Sequence, residues 1–218
     1  MSMAEKQLVV FDLDGTLVDT SEGIFDTARF TAERLGIEGE VPMERMRRFI
    51  GPPLSECFKI VYDMTEAQIK EAYPIYQARY RSHGQYLGKV YDGMPELLDT
   101  LRKRGYLLAV GTLKSESVSL SLLRHFGLLD RFDVVHGDAE HGGRSKRDVL
   151  ALILDDLHLP REAAVLVGDS MHDQNGASAL GISFVAVSYG FGFATRPVVG
   201  PGVDVVIDKP QELAPLFP

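Results

Sequence analysis

The feature that most limits how this chain can fold is a series of short, continuous apolar runs rich in β-branched residues. Such runs predict strands that are covered on both faces, as in a parallel sheet. They are QLVVF at Gln7–Phe11, LLAVGT at Leu107–Thr112, FDVVHG at Phe132–Gly137, AAVLVGD at Ala163–Asp169, SFVAVS at Ser183–Ser188 and VDVVI at Val203–Ile207.

Helical patterns separate these runs. The segment Pro95–Gly105 starts with a proline and ends with a glycine, and Leu97, Leu98 and Leu101 fall on one of its faces. Two further helices are predicted at Ser115–Gly127 and Ser145–Leu157. This alternation of strands and helices predicts an α/β fold, a doubly wound parallel sheet.

One long segment, from Thr20 to Gly88, interrupts the alternation because it contains no run typical of a buried strand. Its patterns are helical throughout, in SEGIFDTARFTAERLG, PMERMRRF, PLSECFKIVYD and TEAQIKEAYPIYQARYRSHG. We therefore predict two domains, an α/β core of residues 1–18 and 89–218 and a helical insert of residues 19–88.

The composition disfavours several kinds of protein. A net charge of −8 argues against a nucleic-acid partner, whose backbone favours basic surfaces. No apolar run approaches the roughly 18 residues of a membrane span, and the residues before Asp12 do not form a signal peptide. Cys57 is the only cysteine, so an internal disulfide is excluded. We expect a cytoplasmic protein with neither a nucleic-acid nor a membrane partner.

Acidic residues follow two of the predicted strands directly. Asp12 and Asp14 come after the first strand, whereas Asp169 ends a later strand and Asp173 lies four residues beyond it. In open α/β sheets, ligands bind beyond the carboxyl ends of the strands, where Thr112 also ends a predicted strand. We therefore expect four carboxylates and a hydroxyl to meet at one edge of the sheet.

Carboxylates packed together repel one another unless a cation lies among them, and oxygen ligands in a small site suit Mg²⁺. One carboxylate could attack phosphorus as a nucleophile, and a second could protonate the leaving oxygen and later activate water. Phosphoryl transfer also needs cations around the phosphate oxygens. Lys146, Arg144 and Lys114 are candidates for that role, although we interpret Lys114 as a solvated or hinge-side charge.

The motifs together resemble those of one family. FDLDGTLVDT, the pattern GT…K at Gly111–Lys114, SKRDVL and GDSMHD occur in the order and spacing of the haloacid dehalogenase superfamily, which the chain resembles over essentially its whole length. The stretches RFIGPPLSECF and VYDGMPELLDTLRKRGYLLAVGT resemble the branch that contains phosphoglycolate phosphatases. The resemblance implies a Rossmann-like core, and it implies that the helical insert is the small cap of that superfamily.

The resemblance also implies which acidic residues act. Asp12 matches the nucleophile and a Mg²⁺ ligand, and Asp14 matches the general acid/base whose backbone carbonyl also binds Mg²⁺. Asp169 matches a direct Mg²⁺ ligand. Asp173 matches the acidic member of the catalytic set that lies just outside the direct ligands.

Phosphate binding is implied for a second group of residues. Thr112 matches the phosphate-binding hydroxyl, and Leu113, in a position where small polar residues are common, could still offer its backbone N–H. Lys146 matches the lysine that balances the nucleophile and the phosphate. The spacing also allows Arg144 to take that cationic place.

The expected function is Mg²⁺-dependent hydrolysis of a small phosphorylated metabolite through an aspartyl-phosphate intermediate. A phosphosugar mutase of the same fold is the alternative, because it would share every core residue. Phosphoglycolate, sugar phosphates, nucleoside monophosphates and pyrophosphate all stay open as substrates. A dehalogenase is disfavoured because it would need neither Asp14 nor a metal, and a non-catalytic sensor is disfavoured because nucleophile and acid are both present.

Overall fold

We describe the protein from a computed structural model, in residues 3–37, 39–50, 54–139, 143–193 and 195–218. The chain divides into two compact units, one made of Met1–Asp19 with Val90–Pro218 and the other of Thr20–Lys89. Within the described ranges, no helix has the length and apolar character needed to cross a lipid bilayer.

Strands and helices are numbered along the chain. The strands of the described residues are β1 (Leu8–Phe11), β2 (Val18–Asp19), β3 (Lys89–Val90), β4 (Leu107–Ser115), β5 (Val134–Asp138), β6 (Ala164–Gly168), β7 (Ser183–Val187) and β8 (Val205–Ile207). The α-helices are α1 (Ser21–Arg34), α2 (Met43–Met46), α3 (Leu54–Tyr62), α4 (Glu66–Ser82), α5 (Met94–Lys103), α6 (Glu116–His125), α7 (Lys146–Leu157) and α8 (Met171–Leu180).

The first unit is built on one parallel sheet, which confirms the predicted fold class. Its strands lie in the order β5-β4-β1-β6-β7-β8, and all neighbouring pairs run parallel. Leu8 of β1 is paired with Leu107 of β4 on one side and with Ala164 of β6 on the other. The strand order reverses at β1, which is the kind of position where α/β sheets bind ligands.

Burial of both faces explains why the strand sequences are apolar throughout. Val9 and Phe11 of β1 belong to an apolar cluster with Leu98 of α5. Leu8 and Val10 point the other way and join a second cluster that contains residues of α7 and α8. Helices therefore cover the sheet on both sides, and its carboxyl edge is left as the place where polar groups can gather.

The second unit contains α1 to α4 and short 3-10 turns, and among its described residues only Lys89, the first residue of β3, lies in a strand. Its interior contains several aromatic rings: those of Phe49 and Phe58 meet edge to face at 5.0 Å between centroids, and Tyr76 stacks on Phe49. Thr65 caps α4 through reciprocal hydrogen bonds with Gln68, which fixes the start of the longest helix of this unit.

Candidate active site

Three neighbouring strands bring the expected residues to the carboxyl edge of the sheet. Asp12 follows β1, Thr112 lies in β4, and Asp169 follows β6. The backbone N–H of Asp12 donates to the Val167 carbonyl at 2.9 Å, so the pairing of β1 with β6 continues to the first aspartate. Parallel register alone therefore places these three side chains on one rim.

The centre of the site is a cluster of three buried carboxylates. Asp12, Asp169 and Asp173 each offer an oxygen within 4.8 Å of the others, and none of the three residues is more than 8% exposed. Asp173 comes from the first turn of α8, where its Oδ2 accepts from the Ser170 N–H at 3.1 Å. A group of three oxygen donors this compact could hold a metal ion.

Lys146 is the cation of the cluster. It is the first residue of α7, and the Ser145 side chain caps that helix by accepting from the Asp148 N–H. Its Nζ lies 2.6 Å from Asp12 Oδ1, 2.7 Å from Asp173 Oδ1 and 2.7 Å from the Gly111 carbonyl, and its side chain is 4% exposed. One ammonium group thus joins β1, β4 and α8.

Charge is unevenly balanced in this cluster, because three carboxylates face one lysine. Burial raises the pKa of Asp12 to about 8, with Lys146 opposing the rise and Asp173 and Asp169 adding to it. Burial and the Asp173 carboxylate likewise raise the pKa of Asp169 to about 7. Burial alone would lower the pKa of Lys146, but Asp12 and Asp173 more than offset this and raise it.

A divalent cation fits this arrangement. Lys146 engages Oδ1 of Asp12, and the backbone N–H groups of Phe191 and Gly192 donate to Oδ2 of Asp169 at 2.9 and 2.8 Å. The remaining oxygen of each carboxylate is then the natural ligand atom. All the donors are hard oxygens, which suits Mg²⁺.

Glycines let these side chains come together, and the sequence patterns did not single them out. A Cβ at Gly168 would lie 2.5 Å from Cγ of Asp173, and one at Gly176 would lie 2.5 Å from Cγ of Lys146. A glycine inside a helix costs about 1 kcal/mol relative to alanine, so its presence there indicates that a neighbouring group packs closely against the backbone. Gly176 in α8 is the one glycine of this pair for which the sequence offered such a signal. Its reason is the lysine of α7 packed against it.

Asp14 forms an ion pair that sequence analysis missed. Its Oδ2 lies 2.9 Å from Nζ of Lys114, and the lysine side chain is only 12% exposed. The interpretation of Lys114 as a solvated or hinge-side charge is therefore wrong. The reason is that β4 continues past Thr112 to Ser115, which keeps Lys114 at the carboxyl edge of the sheet, where its ammonium group reaches Asp14.

The remaining expected residues lie in different surroundings. Thr112 is buried, its Oγ1 accepts from the Lys114 N–H at 3.2 Å, and Leu113 between them is half-buried. Arg144 donates to the Gly137 carbonyl at 2.9 Å and lies 3.7 Å from Glu116. Of the two candidates for the cationic place, the structure brings Lys146 to Asp12 and directs Arg144 elsewhere.

A family model described as haloacid dehalogenase-like hydrolase matches residues 9–187, a span that contains Asp12, Lys146 and Asp173 but ends before Phe191 and Gly192. The chain belongs to this family. The match confirms the family and the hydrolase class that the motifs predicted. The parallel sheet described above agrees with the fold expected for that family.

Three relatives show the range of functions named in the family. The chain is 41% identical over 185 residues to a 5′-nucleotidase of Pseudomonas aeruginosa, covering 84% of this chain and 83% of that protein. It is 33% identical over 192 residues to a phosphoglycolate phosphatase of Nitrosospira multiformis, covering 84% and 83% respectively. Both are relatives of the phosphatase kind that the motifs predicted.

The third relative is the tyrosine-protein kinase PtkA of Mycobacterium tuberculosis, 40% identical over 192 residues. That match covers 86% of this chain but only 64% of the kinase, so this chain spans less than two thirds of its length. A solved structure of PtkA superposes with a TM-score of 0.81 at 36% identity, covering 96% of this chain and 98% of that one. The same fold and closely similar sequences thus occur in proteins named for different reactions.

Proposed function

We propose that the protein is a Mg²⁺-dependent phosphatase that hydrolyses a small phosphorylated metabolite through an aspartyl-phosphate at Asp12. The observation that carries this proposal is the Lys146 ammonium, buried between Asp12, Asp173 and the Gly111 carbonyl. A carboxylate attacking a phosphate anion needs nearby positive charge to offset the repulsion between them. Lys146 supplies one such charge. A divalent cation bound by Asp12 and Asp169 would supply the other.

The residues of the site have the following roles in the proposed reaction. Asp12 attacks phosphorus, the bond from phosphorus to the ester oxygen breaks, and Asp14 protonates that departing oxygen. The Asp14 carboxylate then takes a proton from a water molecule that attacks the phosphorus of the aspartyl-phosphate, which releases phosphate and restores Asp12. When bound by Asp12, Asp169 and the Asp14 carbonyl, Mg²⁺ would offset the charge on the phosphoryl oxygens.

The non-reacting phosphate oxygens would be held by groups that surround the nucleophile. Lys146 Nζ reaches both the nucleophile and the edge of β4, where Thr112 supplies a hydroxyl and Leu113 a backbone N–H. Asp173 holds Lys146 in this place through its Oδ1 at 2.7 Å. This division of tasks requires no further residue for phosphate binding, and Arg144 is assigned no part in it.

The names of two relatives indicate which substrate classes to test first. One relative is named a 5′-nucleotidase and the other a phosphoglycolate phosphatase, so nucleoside 5′-monophosphates and phosphoglycolate head the panel to be tested, with sugar phosphates and pyrophosphate. We further propose that the unit Thr20–Lys89 acts as the cap that selects among them. Arg48, exposed on this unit, is a candidate selector.

The test combines phosphate release with detection of the covalent intermediate. The parent protein should release phosphate from at least one member of the panel with Mg²⁺ and not with excess chelator. Borohydride added during turnover should convert the acyl phosphate at Asp12 to homoserine, which a mass spectrum of the peptide detects. Asp12→Asn should lower turnover by at least about 10³-fold, whereas Asp130→Asn, a change at an exposed acid, should not.

Several outcomes would contradict the proposal. Near-normal turnover by Asp12→Asn would exclude this nucleophile, and full activity in chelator would exclude the metal. Transfer of phosphate between positions of a sugar, without release, would identify a mutase instead. Running the same panel on Arg48→Ala tests the cap: unchanged ratios of kcat/KM between substrates would show that Arg48 does not select.

A further inference from the structure

A four-residue segment after β7, Tyr189–Gly192, lies against the site without belonging to any of its motifs. We name it the strap. Its sequence, YGFG, is part of a glycine- and proline-rich stretch that the sequence patterns predicted only as a loop. Its contacts with the candidate metal ligands give it a more specific role.

The strap holds Asp169 by its backbone. The N–H groups of Phe191 and Gly192 both donate to the same oxygen, Oδ2, at 2.9 and 2.8 Å. Two donors on one oxygen fix the plane of the carboxylate and leave the other oxygen for a cation. The same hydrogen bonds favour the ionised carboxylate and so oppose the rise in pKa that burial causes at Asp169.

The strap also holds the loop that follows β1. The hydroxyl of Tyr189 donates to the Thr16 carbonyl at 3.1 Å, and burial raises the pKa of Tyr189, so the hydroxyl keeps the proton that it donates. A Cβ placed at Gly15 would lie 3.1 Å from the Phe191 ring and would overlap Asp169 Oδ2. One short segment therefore contacts both pieces of chain that carry the candidate ligands.

Gly190 makes this contact possible. A Cβ at this position would overlap the Asp169 side chain and would lie 2.5 Å from the Gly15 carbonyl oxygen. Any larger residue would have to push the strap away from Asp169 or push Asp169 away from the loop. Gly200, ten residues on in the same stretch, has no heavy atom within 4 Å of its Cβ position and offers a matched control.

We propose that the strap is a positioning element for the metal centre, and that Gly190 and Tyr189 set its affinity for Mg²⁺ by orienting Asp169 against the Gly15–Thr16 loop. This inference rests on the proposed function, because it takes Asp169 to be a Mg²⁺ ligand. Groups that orient metal ligands typically account for 10- to 100-fold of metal affinity. The strap does not touch the reacting atoms, so it should affect metal binding more than the chemical step.

The experiment measures Mg²⁺ binding through the shift in thermal unfolding temperature that a ligand of the folded state causes. Mg²⁺ is titrated against the parent, Gly190→Ala, Tyr189→Phe and Gly200→Ala. Because the stabilisation grows as RT ln(1 + [Mg²⁺]/Kd), each titration yields the Kd for Mg²⁺. We expect this Kd to rise at least about tenfold in Gly190→Ala, and about two- to tenfold in Tyr189→Phe, which loses one hydrogen bond. Gly200→Ala should match the parent.

Phosphatase assays then separate positioning from general damage. At low Mg²⁺, kcat of the strap variants should lie below the parent value, and at saturating Mg²⁺ it should return to near that value. A change that only destabilises the fold would not shift the Mg²⁺ dependence of kcat. If Gly190→Ala does not fold, Tyr189→Phe decides, and an unchanged Kd for Mg²⁺ in that variant overturns the inference. If Mg²⁺ raises the unfolding temperature of the parent and of every strap variant equally, the positioning role of the strap is wrong but the metal site stands. If Mg²⁺ does not raise the unfolding temperature of the parent, the proposed metal site is wrong as well.

Discussion

Lys146 is the residue on which the charge balance of the site depends. Its ammonium group is the partner of both Asp12 and Asp173, and the three side chains are almost entirely buried. Removing one partner of a buried ion pair leaves the opposite charge without compensation, which is far more costly than losing a pair at the surface.

Lys146→Met should therefore lower the free energy of unfolding by about 3–5 kcal/mol. Lys59 provides the control, because it pairs with Glu66 at 3.7 Å with both side chains largely exposed, and Lys59→Met should cost no more than about 1 kcal/mol. Denaturant unfolding in chelator measures both. Equal losses in the two variants would mean that the buried carboxylates do not rely on Lys146.

At the level of single elements, helix α7 carries Lys146 at its first position. Ser145 caps this helix and bonds Asp148 reciprocally, so the first turn is fixed where the lysine must reach across to β1. The position of Lys146 therefore depends on a local capping motif as well as on its ion pairs.

Ser145→Ala should cost about 1 kcal/mol of stability through loss of the cap, and it should also lower kcat because the first turn of α7 frays. Thr65→Ala removes the same kind of cap from α4 and should cost a similar amount. Only the Ser145 variant is expected to lose turnover when both are assayed well below their unfolding temperatures. A matching loss in Thr65→Ala would attribute the effect to stability alone.

Strands and helices were predictable from the sequence where the apolar pattern of their own residues determines them. The run QLVVF predicted β1 because both faces of that strand are buried, and the order of strands and helices followed from their alternation. The extension of β4 through Ser115 was not predictable in this way. It depends on a shifted pairing between Ser115 and Asp138 of β5, and such pairing leaves no apolar pattern in the residues concerned. The error over Lys114 has this origin.

The site residues also divide into those that local sequence pattern predicts and those that depend on contacts between distant parts of the chain. Asp12 and Asp169 could be placed from the ends of buried strands, since parallel strands share an edge. Gly176 and the strap could not, because the side chains that they accommodate come from parts of the chain far away in sequence. The choice between Lys146 and Arg144 also needed the structure, since both lie close to the start of α7.

At the level of the whole molecule, the acidic cluster links stability to pH. The pKa of Asp169 is raised from 3.8 to about 7 by burial, so between these pH values the folded protein holds a proton that the unfolded chain has released. The contribution of this group to the free energy of unfolding is therefore present at low pH and is lost as the pH rises through about 7.

In chelator, the stability of the parent should fall more steeply between pH 4 and 7 than that of Asp169→Asn, which has no carboxylate to titrate. Denaturant unfolding at a series of pH values measures the two slopes. Mg²⁺ at pH 7 to 8 should recover stability in the parent and much less in the variant. Parallel slopes would show that Asp169 is not held protonated in the metal-free protein.

The pairing of β1 with much later strands bears on how the molecule is made. Lys146 lies 134 positions from Asp12, and Tyr189 lies 173 positions from Thr16. During synthesis, which proceeds from the N-terminus, the apolar central strand leaves the ribosome long before β4 and β6 exist to cover it. Contacts this distant in sequence also form slowly. A chain that stops short of β6 would thus leave one edge of the apolar strand β1 uncovered and would also lack Asp169 and Asp173. Unfinished molecules of this kind would need protection from aggregation but could not catalyse the proposed hydrolysis.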